Sequence, residues 1–188
     1  NGNPVSDQVK NTGTLEAQGG TVLLNARAMD QVFESAINLE GLVRANAFEV
    51  GESGKIRIVA NGPVKVWAVL EARGGSIDVE SEKRIEIQGP TVTRGATSFN
   101  SRGDIAVNAD VLTDAGDLLF QADSDMNGTG AFLQAAGTRI ATTSFGNITI
   151  SSSGASTLAH ISSAGDLVLK QAGAPVTYTQ HADASIVT

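Results

Sequence analysis

The chain has 188 residues, of which 41% are hydrophobic, 4% aromatic and 18% charged, with a formal net charge of -7 and no cysteine. That length suffices for one substantial domain, and the missing cysteine excludes both a disulfide framework and a thiolate metal site. An acidic chain without a basic stripe argues against nucleic acid and anionic lipid as partners, and with no run of 18 apolar residues no membrane-spanning segment is expected.

In chain order, the first recurring phrase is Gly13-Thr14-Leu15-Glu16-Ala17, which returns loosely as Gly41-Leu42-Val43-Arg44-Ala45 and Val69-Leu70-Glu71-Ala72. Between the first two copies, residues 26–37 carry Ala28, Met29, Val32, Phe33 and Ala36 at helical spacing, which predicts one short helix or an irregular loop plugging the stack. A tighter phrase, Gly-x-Φ-x-Φ with Φ apolar, starts at Gly54, Gly75, Gly103, Gly116, Gly146 and Gly165. Each copy reads as a turn followed by a strand with one buried face. The polar stretch 123–130 reads as a loop between strands.

The two alternating phrases predict an all-β chain, a parallel β-helix of about seven to nine coils stacked at the strand spacing of roughly 4.8 Å. A sandwich also has short strands and turn signals, but gives no reason for its strand phrases to repeat. The low aromatic content suits a narrow interior of aliphatic ladders. The whole of residues 1–188 reads as a single solenoid segment, internal to a longer chain because it begins at Asn1 without a signal-like stretch. Its repeat style changes near residues 89–100. Residues 1–94 hold 10 Lys or Arg and 12 Asp or Glu, whereas residues 95–188 hold 3 and 8 and substitute Ser, Thr, Asn and Ala.

The phrases at 11–17, 19–26, 36–45 and 54–58 resemble the filamentous haemagglutinin-type exoproteins of two-partner secretion, where such a series opens the shaft behind the secretion domain. The likeness covers residues 9–88, and 118–137 and 146–175 are similar in composition to the Ser/Ala/Gly-rich repeats of large exoproteins. The resemblance implies a right-handed parallel β-helix, a secreted or cell-surface location on a Gram-negative bacterium, export through an outer-membrane transporter, and a non-enzymatic role in adhesion or surface scaffolding. Implied partners are a glycan or protein of host or neighbour-cell surfaces, or extracellular matrix. It implies no catalytic residue and no cofactor. Two other functions stand beside this one: a carbohydrate-binding or carbohydrate-cleaving β-helix, and a passive spacer for a distal effector.

Four local patterns are candidate sites. Asp123, Asp125 and Asn127, followed by Gly128, match the start of a calcium loop, with Gln134 where a bidentate glutamate belongs; a solvated turn uses the same residues. Arg102-Gly103-Asp104 is a tripeptide that binds integrins on an exposed loop, although its glycine also starts a repeat phrase. Asp104, Asp117 and Asp166 hold one place in three copies of the phrase, so a carboxylate row for glycan cleavage is conceivable, against ordinary turn chemistry. Trp67 alternates with Lys65 and is expected to pack beneath a neighbouring loop, or else to stand exposed for a sugar ring. His160 and His181 have no partner at metal-ligand spacing and read as surface or ladder positions.

Overall fold

The protein is described by a computed structural model covering residues 5–27, 33–45, 54–172 and 177–188. Its first coil comprises β1 (Val5–Asn11), β2 (Thr14–Glu16) and β3 (Thr21–Ala26), the second β4 (Phe33–Leu39), β5 (Leu42–Arg44) and β6 (Lys55–Ala60), the third β7 (Val64–Val66), β8 (Val69–Ala72) and β9 (Ser76–Ser81). The fourth holds β10 (Ile85–Ile87), β11 (Thr91–Thr93) and β12 (Thr97–Ser101), the fifth β13 (Ile105–Val107), β14 (Val111–Thr113) and β15 (Leu118–Gln121), the sixth β16 (Phe132–Gln134), β17 (Arg139–Thr142) and β18 (Ile148–Ser152). The seventh is β19 (Ser156–Leu158), β20 (His160–Ser162) and β21 (Leu167–Gln171), and β22 (Tyr178–Gln180) and β23 (Ile186–Val187) begin an eighth.

Every third strand joins the same sheet, giving two parallel sheets of 8 strands, which begin with β1 and β2, and one of 7, which begins with β3. We call them the first, second and third faces. This is a parallel β-helix. The register stacks Val9, Ile37, Val64, Ile85, Ile105 and Phe132, so along these rungs of the first face one coil takes between 20 and 28 residues.

Strand alternation explains the interior. On the third face Val22, Ile56, Ile77, Thr97, Leu118 and Ile148 form one inward ladder, and Leu24, Ile58, Val79, Phe99, Phe120 and Ile150 form the next. Like side chains meet at the strand spacing, the arrangement that lets neighbouring coils bury each other's apolar surface. Phe99 and Phe120 stack at 5.3 Å with an interplanar angle of 9°, and Phe120 meets Phe132 edge-on at 5.2 Å. At the corners the interior changes from aliphatic to hydroxyl. Ser81 donates to the Gly62 carbonyl, Ser101 to that of Lys83 and Thr113 to that of Gly95, so these buried turns keep their polar atoms paired.

The outer faces differ along the stack. Reading up the first face, Lys10, Asn38, Lys65 and Glu86 give way to Ala106 and Leu133. On the second, Glu16, Arg44 and Glu71 are followed by Val92 and Leu112, and on the third Arg57 and Asp78 by Ser98 and Leu119. Charges pair between coils where they occur: Arg44 lies 3.7 Å from Glu16 and 3.3 Å from Glu71. The transition falls on all three faces within coils three to five, so the shift in composition at 89–100 rings the solenoid.

The helix expected over 26–37 is not formed where the chain is described: Ala26 ends β3 and residues 33–37 belong to β4, while Ala28, Met29 and Val32 lie outside the described residues. Ala36 breaks the strand period yet is fully buried, because the turn of the next coil at Gly62 covers it. That cover gives an apolar residue on the outer side of a strand the spacing of a helix. A side chain is equally unwelcome at Gly75, where a Cβ would sit 1.5 Å from the Gly54 carbonyl oxygen. Gly75→Ala is therefore expected to force the third coil away from the second and cost about 2 kcal/mol, read as a lowered urea midpoint.

Candidate functional site

A groove of about 680 Å3 runs along the corner where the third face turns back into the first. One wall is a row of outward side chains at one register position, Asn25, Val59, Glu80, Asn100 and Gln121, from five successive coils. Opposite stand residues of the turns that follow, among them Glu82, Arg102 and Ser124. Its acids are paired: Glu80 with Arg57 at 3.2 Å and Glu82 with Arg102 at 3.2 Å.

The 123–130 loop emerges between β15 and β16, as its composition predicts. Asp123 is fully buried at its base with φ of 61°, a conformation Asp tolerates better than most residues. Its Oδ1 accepts from the Asn127 amide at 2.9 Å, and its Oδ2 from the Gly128 amide at 2.8 Å and from the Ser153 hydroxyl. Burial raises the pKa of this carboxyl, but the bonds from Ser153, Gly128 and Asn127 outweigh it and hold the group below the ordinary carboxylate value. Asp125 is turned to the Asn127 side-chain amide at 3.0 Å. Gln134 is 1% exposed and points inward, where it bonds the Thr138 and His160 carbonyls and the Ala159 amide. With the first position of the loop saturated by donors and the twelfth inside the core, millimolar Ca2+ is expected to leave the melting temperature unchanged. A rise that Asp125→Ala abolishes would reverse that expectation.

The tripeptide at 102–104 is distributed over three structural tasks. Arg102 pairs with Glu82, a Gly103 Cβ would meet the Lys83 carbonyl oxygen at 2.4 Å, and Asp104 Oδ1 accepts the Ala131 amide of the next coil at 2.9 Å. The same bracket recurs at Asp110 to the Arg139 amide, 2.8 Å, and at Asp117 to the Asn147 amide, 2.7 Å. Asn147 in turn accepts from the Asp166 amide at 2.8 Å. The imagined carboxylate row is thus divided. Asp104 precedes a strand of the first face, whereas Asp117 and Asp166 precede strands of the third with Asn147 between them.

The chain matches no known protein family, no characterised protein and no solved structure.

Trp67 is 53% exposed between β7 and β8, so it is not packed beneath a loop among the described residues as expected, and it does not line the groove. His160 pairs in register with Arg139, and His181 Nε2 lies 2.9 Å from the Gln134 carbonyl oxygen. The groove residues escaped the reading of motifs, although a signal for them exists. Asn25, Glu80, Asn100 and Gln121 each follow the second apolar position of the turn-strand phrase, once copies at Gly20 and Gly95 are admitted.

Proposed function

We propose that this chain is a shaft segment of a large exoprotein exposed on a Gram-negative cell, non-enzymatic, which works by length and surface in adhesion or scaffolding. The observation that carries the reading is the unbroken stack: three parallel sheets share one axis and no coil is interrupted by a second domain among the described residues. Stacked ladders transmit load from coil to coil, and the outer faces repeat their side chains at a fixed step. The filamentous haemagglutinin-like phrases of residues 9–88 support the cell-surface placement and an outer-membrane transporter as export partner. Contacts with glycan, protein or matrix on an opposing surface follow from that placement.

The test is adhesion by the chain itself. Beads coated with the 188-residue chain should attach to epithelial or bacterial cells more than beads coated with albumin, whereas a passive spacer for a distal effector would show no excess.

A further inference from the structure

We propose that the groove along the third corner binds a linear, uncharged polysaccharide lying parallel to the stacking axis. This gives the adhesive reading a ligand and rests on it.

The repeat of the wall selects the polymer. Asn25, Glu80, Asn100 and Gln121 stand in one register row at steps of about 4.8 Å per coil. An extended β-1,4-linked pyranoside chain advances by nearly that step with each ring, so successive rings meet successive rungs. An extended peptide advances by about 3.3 Å per residue and falls out of step within two rungs. The volume, about 680 Å3, sits inside the roughly 300–1,000 Å3 of sites for organic ligands.

The chemistry of the walls selects sugars over other polymers. A carboxamide offers an adjacent donor and acceptor and a carboxylate two acceptors, so that each matches a pair of neighbouring hydroxyls. Val59, half-buried on the outer side of its strand, adds apolar surface for the C–H face of a ring. Charge in the groove cancels, because Arg27 and Arg102 are opposed by Glu80 and Glu82. With two cations and two acids on the lining, neither a phosphate backbone nor a sulfated glycan finds a net positive charge here. The loop at 122–131 stands at the C-terminal end, with Ser124 on the lining.

The full chain would be titrated calorimetrically with cellohexaose, xylohexaose and mannohexaose, and with the corresponding disaccharides. At least one hexasaccharide should bind with a submillimolar dissociation constant, about tenfold or more below its disaccharide, because the site spans several rungs. Asn100→Ala with Gln121→Ala should weaken binding about tenfold while the melting temperature stays within a few degrees, since both side chains lie outside the core. Thr157→Ala, on the outer side of the first face, should leave binding unchanged. No heat with any neutral hexasaccharide at millimolar concentration overturns the proposal, as does binding indifferent to the double variant or a preference for a heparin hexasaccharide that salt abolishes. Bead adhesion that persists without oligosaccharide binding would remove the groove alone, and oligosaccharide binding without bead adhesion would remove the adhesive reading alone.

Discussion

Replacing Phe120 by alanine is expected to destabilise the solenoid by about 3–5 kcal/mol, the largest effect of any single truncation in its interior. Phe120 is fully buried and joins three coils: it stacks on Phe99 of the fourth and meets the edge of Phe132 of the sixth. Truncation removes the transfer free energy of the ring and leaves a void that fixed strands on both sides cannot close. At roughly 2–4 °C per kcal/mol for a chain of this size, the melting temperature should fall by about 10 °C. Because stability in a stack is a sum over neighbouring interfaces, the loss is local. Amide exchange should therefore quicken first in β12, β15 and β18 and hardly change in β6. Phe120→Leu keeps most of the volume and should cost less than about 1.5 kcal/mol. Equal losses from both variants would mean that the aromatic contacts rather than the filled volume hold these coils together.

The ladder logic was legible because it depends on residue class at a fixed phase. The copies of the looser phrase at 13–17, 41–45 and 69–72 fall on β2, β5 and β8, and five of the six glycines that start the tighter phrase, Gly54, Gly75, Gly116, Gly146 and Gly165, lead into strands of the third face. Thr97 hid one copy. It occupies an apolar position, yet its hydroxyl meets that of Thr93 at 2.9 Å inside the corner, so a polar residue serves as a ladder rung. Gly103 misled in the other direction: it opens a strand of the first face, and that misassignment produced the short interval between Gly103 and Gly116. The local motifs were less reliable than the periodicity for one physical reason. A tripeptide or a calcium-like pattern says which polar atoms are present, but the next coil decides which are already consumed, as the amide of Ala131 consumes Asp104. The groove was hidden by the opposite circumstance. Its rungs, Asn25, Val59, Glu80, Asn100 and Gln121, share a place after the phrase but vary in side chain, and two of their copies, at Gly20 and Gly95, are irregular enough to be passed over, so the row becomes plain once the register is known.

Asp123 is where that inter-coil use of a carboxylate should matter most. Asp123→Ala would leave the Asn127 and Gly128 amides and the Ser153 hydroxyl without their acceptor, and a loss of about 3 kcal/mol is expected, since bonds to a charged, buried acceptor are the strong kind. Asp123→Asn keeps a residue suited to positive φ and one accepting oxygen, but presents an NH2 to a donor, and should fall between the two. The pH dependence has a definite sign. The folded carboxyl has a lowered pKa, so the unfolded chain binds its proton more readily, and the group's contribution to stability is complete above the unfolded value of about 3.9 and is lost as pH falls through the lower folded value. Denaturant unfolding of the natural chain should thus lose stability on acidification below roughly pH 4, and Asp123→Asn should show a shallower loss over the same range. Parallel curves for the two proteins would mean that the carboxylate is not the anion that ties the loop at 122–131 to the turn at Ser153. A shallower curve for the variant would show that a residue chosen by its resemblance to a calcium ligand spends its charge on three donors of its own chain.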